Sequence, residues 1–147
     1  MKIFQSIFPI IFFSLSLIIG QDHSINFDGN NDYILIPDHA TLDLTENYTL
    51  EAWIFPESFS WLAGIISKYQ TSAANGYMLR LTHQSPYTGL GFDEVVTSTG
   101  VLNSNQWYHI AVTIDDNTNT GKMYLDGTLI AENNSMTIRP SSLGNTT

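Results

Sequence analysis

The sequence of 147 residues has a length typical of one domain. Its formal net charge of −9 argues against nucleic acid as a partner, because nucleic-acid binding depends on basic contacts to phosphate, and against anionic membrane surfaces. The sequence contains no cysteine, which excludes disulfide bonds and thiolate metal sites. Because small secreted domains of animals usually depend on disulfides, this composition favours a bacterial envelope protein over a component of the animal extracellular matrix.

The first twenty residues differ in composition from the rest of the chain. Lys2 is their only charged residue, and an almost wholly apolar run, Ile7 to Ile19, precedes Gly20. A short basic start, a hydrophobic stretch and a small residue near its end are typical of a secretory signal peptide. A membrane anchor is the alternative, but a spanning helix needs about 20 apolar residues, and Pro9 would interrupt this one. We predict a signal-peptide helix at residues 1–20, cleaved to leave a secreted or cell-surface protein with no membrane insertion.

From residue 23 onward, short segments rich in Val, Ile, Tyr, Phe and Thr alternate with clusters of Gly, Asn, Asp, Ser and Pro. Asp126-Gly127, between two such segments, is a strong hairpin signal. The pattern predicts an all-β protein of antiparallel strands, either a sandwich or a barrel. The predicted strands are Ile25–Asp28, Tyr33–Ile36, Tyr48–Phe55, Gly64–Tyr69, Tyr77–Thr82, Gly89–Val95, Tyr108–Asp115, Lys122–Asp126 and Thr128–Ala131.

Four segments in a fixed order carry a family pattern: residues 25–37, 48–56, 106–115 and 122–127. They resemble the LamG-like jelly-roll domains of the concanavalin A-like lectin/glucanase superfamily. The resemblance implies a two-sheet antiparallel jelly-roll sandwich at residues 21–132. It also implies a non-catalytic module that binds an extracellular glycan or protein and forms part of a larger extracellular protein.

The end of the sequence departs from that family pattern. Nothing after Asn133 resembles the closing strands of the family, so the sandwich is expected to lack them, and residues 133–147 are either a polar tail or a truncated end of the domain. Two other functions stay open. The chain could be a structural or adhesive spacer, or the accessory domain of a glycoside hydrolase whose catalytic part lies outside this sequence.

A catalytic role on this sheet would need paired carboxylates. A glycosidase acid and its partner carboxylate lie about 5–10 Å apart, which on one strand requires Asp or Glu at i and i+2 or i+4. Glu51 stands alone on its predicted strand, and Asp93 and Glu94 are adjacent and therefore expected to face opposite ways. We predict that the chain is not an enzyme.

Calcium is the metal that the composition favours, because hard cations take carboxylate and carbonyl oxygens. Such oxygens concentrate in the turn that holds Asp28 and Asp32 and in the loop that begins at Asp115. These three aspartates are the candidate calcium ligands, with Asp32 the strongest. The alternative is ordinary turn chemistry, because Asp and Asn cap their own backbone in turns.

Exposed aromatic side chains would supply a platform for glycans. Phe59 and Trp61 lie in the loop after Pro56, and Tyr87 lies in another loop, so these three are the candidate ligand-binding residues. The alternative for Phe59 and Trp61 is that they fold back to cover one end of the sandwich. Trp53 and Trp107 fall inside the family segments and are interpreted as core or sheet-packing residues.

Overall fold

The computed structural model of the chain describes residues 23–70 and 75–137, so the predicted signal peptide at residues 1–20 lies outside the described residues. The chain divides into two compact units, Met1–Ile36 and Pro37–Thr147. Within the described residues the helical structure is a three-residue 3-10 turn, Ala40–Leu42. No described helix therefore has the length or the hydrophobicity to cross a membrane.

The described part of the first unit, residues 23–36, contains a turn but no strand. The predicted strands Ile25–Asp28 and Tyr33–Ile36 are therefore wrong. Alternating side chains suit a strand, but its backbone groups must also pair with a neighbour. Among the described residues, every strand pairing is made within residues 48–133.

The second unit contains two four-stranded antiparallel sheets, as predicted. Sheet A has the strand order β1-β6-β7-β8 and sheet B has the order β2-β3-β4-β5. The strands are β1 (Tyr48–Ile54), β2 (Gly64–Gln70), β3 (Asn75–Leu81), β4 (Leu90–Phe92), β5 (Val95–Val96), β6 (Tyr108–Asp115), β7 (Thr120–Leu125) and β8 (Thr128–Asn133). The predicted strand Gly89–Val95 is thus split into β4 and the start of β5, because Asp93 and Glu94 form a turn.

The core lies between the two sheets. Alternation turns Ile110, Val112 and Ile114 of β6 inward, and the β1–β6 register places Leu50 opposite Val112 on the same face. Burying one such side chain stabilises the fold by about 1.5–3 kcal/mol. The largest fully buried side chains come from both sheets and from the connections between strands: Phe92, Leu79, Leu90, Leu102, Ile110, Met123, Val95, Val112 and Thr82.

An ion cluster ties the segment before β1 to sheet B. The Nζ atom of Lys68 lies 2.9 Å from Oδ1 of Asp38 and also donates a hydrogen bond to Asp43. The hydrogen bond to Asp43 raises the pKa of Lys68 above its ordinary value. Because the Lys68 side chain is only 11% exposed, its two carboxylate partners compensate a charge that is largely removed from water.

Core packing continues to the end of β8 and just beyond it. Asn133 is the last residue of β8, and Met136 is buried in the core with its backbone N–H donating to the Asn119 carbonyl at 2.9 Å. The packing here leaves room only for glycine at residue 121. A Cβ atom at Gly121 would lie 2.1 Å from Sδ of Met136 and 2.6 Å from Cγ2 of Val95.

Candidate functional site

The outer face of sheet B carries a groove that follows from strand alternation. In β3, Leu79 and Leu81 turn into the core, so Met78 and Arg80 turn outward. The β2–β3 register then places Ser67 opposite Met78 on the same outer face. The groove has a volume of about 600 Å³ and is lined by Trp61, Leu62, Ser67, Tyr69, Met78, Arg80, Asp93 and Glu94.

Trp61 is the most exposed aromatic side chain of this groove. Its side chain is 64% exposed, and it lies in the turn that leads into β2. The chain after it is anchored, because the N–H of Leu81 donates to the Ala63 carbonyl at 2.9 Å. Two residues of the groove, Leu62 and Asp93, have positive φ angles of 53° and 46°. Such backbone conformations cost roughly 1–3 kcal/mol each and are concentrated at functional sites.

Arg80 gives the groove a cationic group that the surrounding structure holds in place. Its Nη1 atom donates to the Leu81 carbonyl at 3.1 Å. The guanidinium lies over Gly91, where a Cβ atom would be 3.0 Å from Nη1. Arg80 forms no salt bridge with any residue of the described ranges 23–70 and 75–137. A guanidinium has five N–H donors, so Arg80 can donate further hydrogen bonds within the groove.

Asp93 and Glu94 both line this groove, although they were expected to be strand residues that face opposite ways. That expectation assumed a strand, whereas the two residues form the turn between β4 and β5. The carboxylate of Glu94 accepts a hydrogen bond from the N–H of Thr137 at 3.2 Å. Burial, followed by the charge of Asp93, raises the pKa of the Tyr48 hydroxyl well above its ordinary range.

Of the three aromatic residues predicted as ligand-binding, the structure brings Trp61 into the groove. Phe59 is partly buried and packs against the core, as the alternative for that residue proposed. Tyr87 is half-buried, and its N–H donates to the Gln84 carbonyl at 2.7 Å. Tyr69, Met78 and Arg80 were missed by the sequence reasoning, although they occupy outward positions of predicted strands.

The three candidate calcium ligands cap turns. Asp32 Oδ2 accepts from the N–H of Asp28 at 2.9 Å, and Asp28 Oδ1 accepts from the N–H of Asn30 at 2.8 Å. Asp115 Oδ1 accepts from the N–H of Asn117 at 3.0 Å. Hydrogen bonds, chiefly from the Thr118 side chain, lower the pKa of Asp115. No group of three or more His, Cys, Asp or Glu within the described part of the chain is arranged to hold a metal ion.

Trp53 and Trp107 were interpreted as core or sheet-packing residues; they are not core residues, and each packs against one ring on the surface of sheet A. Trp53 is 66% exposed and Trp107 is 48% exposed. Trp53 lies on the outer face of sheet A because its strand neighbours Ala52 and Ile54 pack against the core. Alternation had correctly placed Trp53 on the opposite face of β1 from Ile54, but it did not say that this face meets solvent.

Comparison with known proteins supports the same architecture. A comparison with curated proteins gives no match. A family model described as the concanavalin A-like lectin/glucanases superfamily matches residues 28–147, which is most of the chain and extends past the segment that resembled the family on inspection. The two four-stranded antiparallel sheets are consistent with the jelly-roll sandwich of that family. The chain therefore belongs to the concanavalin A-like lectin/glucanases superfamily.

Proposed function

We propose that the chain is a non-catalytic extracellular module that binds a glycan in the groove on the outer face of sheet B. The observation that carries this proposal is the placement of Trp61, a largely exposed aromatic ring, on the wall of a groove of about 600 Å³. Aromatic side chains that line a concave groove are typical of ligand-binding sites.

The chemistry of the groove suits a sugar better than a purely apolar ligand. Trp61 and Tyr69 offer ring faces for the C–H surface of a sugar, and Met78 adds an adaptable apolar contact. Arg80 supplies donors, while Asp93 and Glu94 supply acceptors, so that hydroxyl groups find both kinds of partner. Binding sites commonly combine such apolar walls with a few placed polar groups.

The absence of catalysis is part of the proposal. The glycosidase pattern of carboxylates at i and i+2 or i+4 on one strand does not occur around Glu51 in the sequence. Asp93 and Glu94 are the carboxylates that line the groove, and Glu94 is engaged by the backbone of Thr137. We infer that these carboxylates accept hydrogen bonds from the ligand and do not cleave it.

The extracellular location rests on the leader pattern of residues 1–20 and on the family, whose members typically work outside the cell. For the same reasons we infer that the chain is one module of a larger surface protein. The competing function is a structural spacer. A spacer would bind no ligand at Trp61, whereas a glycan-binding module would.

A glycan array probed with the secreted protein tests the proposal, followed by calorimetric titration of the best ligand. Trp61→Ala is expected to weaken binding at least about tenfold, because central aromatic residues dominate binding sites. Trp53→Ala is the matched control, since it removes an equally exposed Trp from sheet A. Binding of no glycan, or equal affinities of the two variants, would remove the groove as the site.

Cleavage is tested on the same ligand. Prolonged incubation with the wild-type protein is expected to leave the glycan intact, as judged by mass spectrometry of the recovered sugar. Hydrolysis that disappears in Asp93→Asn or Glu94→Gln would contradict the non-catalytic part of the proposal and leave the binding part standing.

A further inference from the structure

The outer face of sheet A carries four exposed or half-exposed rings, which we call the aromatic patch: Trp53, Phe55, Trp107 and His109. Trp53 and His109 are direct cross-strand partners with ring centroids 5.2 Å apart. Phe55 and Trp107 follow at the ends of the same two strands with centroids 5.4 Å apart. None of these rings belongs to the groove of sheet B.

The patch is unusual in how much aromatic surface it leaves in water. Trp53 is 66% exposed, and Phe55 and Trp107 are 40% and 48% exposed. Contiguous exposed apolar surface with a polar rim marks interaction sites, and Trp is among the residues that most often dominate protein interfaces. The patch therefore has the composition of an interface centre.

The polar surroundings of the patch are acidic. Glu51 lies two residues before Trp53 on β1, is 66% exposed, and places Oε2 3.5 Å from Nε2 of His109. Asp126 lies beside β6, where its Oδ1 accepts from the backbone N–H of His109 at 2.8 Å. The neighbourhood of the rings thus offers carboxylates to an incoming ligand.

Apart from the imidazole of His109, which can carry a charge, the basic residues of the described chain lie elsewhere. Within residues 23–70 and 75–137 the Lys and Arg residues are Lys68, Arg80 and Lys122. Lys68 is held by Asp38 and Asp43, and Arg80 lies on sheet B. Lys122 pairs with Glu132 at 3.4 Å on the part of sheet A built from β7 and β8. The aromatic patch is therefore complementary in charge to a basic partner.

We propose that the aromatic patch and Glu51 form a docking surface for a partner protein that presents arginine or lysine side chains. A guanidinium or ammonium group over the Trp53 ring gains a cation–π interaction, and Glu51 pairs with the same charge. The rings tilt by 47° and 53° within their pairs, so neither pair forms a flat platform for a polysaccharide surface. This surface is separate from the groove proposed for glycans.

The test is calorimetric titration of the secreted protein with a hexa-arginine peptide, and with a Gly-Ser peptide of equal length as the neutral probe. We expect saturable binding of hexa-arginine that Trp53→Ala and Glu51→Gln each weaken at least about tenfold. Glu46→Gln is the matched control, because it removes the same charge from an exposed residue before β1. It corrects for the general attraction of a basic peptide to a protein of net charge −9.

Several results would overturn the docking proposal. Equal losses in Glu51→Gln and Glu46→Gln would mean that only net charge attracts the peptide. Binding of the Gly-Ser peptide with the same affinity would mean that the partner needs no cation. A glycan whose binding is lost in Trp53→Ala but kept in Trp61→Ala would assign the patch to a sugar. Glu51→Gln keeps the shape of its side chain, so its result stands even if Trp53→Ala folds poorly.

Discussion

The outer faces of the two sheets are built by the same alternation but offer different surfaces. Sheet B presents a groove in which one exposed Trp lies beside an arginine and two carboxylates. Sheet A presents an aromatic patch with a neighbouring Glu, and no Lys or Arg of the described chain pairs with that Glu. The inward residues of both sheets serve the common core. The difference teaches that the outward positions, and not the core, determine the surface chemistry of this sandwich.

The largest loss of stability is expected from a substitution at a glycine of sheet B, and it tests how the strands of that sheet are paired. Gly76 has φ +87°, and a Cβ atom there would lie 1.9 Å from the backbone oxygen of Lys68. Gly76→Ala is therefore expected to lower the free energy of unfolding by more than about 3 kcal/mol, measured by urea denaturation. Gly64→Ala is the control on the same sheet, because no atom lies within 4 Å of its added Cβ. Equal stability of the two variants would contradict the β2–β3 register.

The next largest loss of stability is expected from a substitution at a glycine of sheet A. Gly121→Ala would press against the Met136 side chain and Val95, and we expect a loss of about 1–3 kcal/mol because a flexible Met can partly yield. Urea denaturation again measures the change. The double variant with Met136→Ala should be less destabilised than the sum of the single variants, since the clash is removed. Strict additivity would show that Met136 does not pack on Gly121.

A buried tyrosine between the two sheets is expected to make the free energy of unfolding fall at alkaline pH. Tyr48 of sheet A packs on Phe92 of sheet B with ring centroids 6.3 Å apart, and burial raises the pKa of its hydroxyl. A raised folded-state pKa gives stability that is present at neutral pH and lost as pH rises above about 10, where the unfolded tyrosine ionises. Lys68, whose pKa is also raised, acts in the same direction.

The variant Tyr48→Phe separates the contribution of Tyr48 to the pH dependence of stability from that of Lys68. We expect wild-type stability, measured by chemical denaturation at a series of pH values, to fall more steeply above pH 10 than that of Tyr48→Phe. Tyr33→Phe is the control, because its side chain is exposed. Identical slopes for the wild type and Tyr48→Phe would contradict the burial of this hydroxyl.

The smallest effect is expected from calcium. Because Asp32 and Asp115 cap turns with their carboxylates, we expect millimolar calcium to change the melting temperature by less than about 1 °C, as linkage requires when no ion binds the folded state. Magnesium at the same concentration controls for ionic strength. A calcium-specific rise that Asp32→Ala or Asp115→Ala abolishes would restore the metal site.

The strands of the second unit could be predicted because their alternation and turn residues agree. Tyr108–Asp115 is found with the predicted bounds, and the Asp126-Gly127 turn joins β7 to β8. The turn at Asp93 was missed, since a two-residue turn inside an apolar run leaves little trace in the sequence. For residues 25–36 the error was the reverse, because strands were predicted where the structure has none. Their alternation is strand-like, but sequence periodicity does not reveal whether a backbone partner is present.

The candidate site was harder to predict for a related reason. Periodicity reveals which residues share a face but not which face meets the core, and in β1 both faces carry apolar side chains. Small Ala52 turns inward while Trp53 turns to solvent, against the expectation from size and hydrophobicity. Trp61 could be chosen because it lies in a loop, whereas its groove partner Arg80 comes from a strand on another part of the chain.

The most direct test of the account is the fluorescence of Trp61 alone. The protein has three tryptophans, so the variant with Trp53→Phe and Trp107→Phe retains Trp61 as its single indole fluorophore. Titration with the glycan selected by the array is predicted to shift the Trp61 emission to shorter wavelength, with a midpoint equal to the calorimetric Kd. Undiminished glycan binding with an unchanged Trp61 emission would contradict the assignment of the glycan to the groove of sheet B.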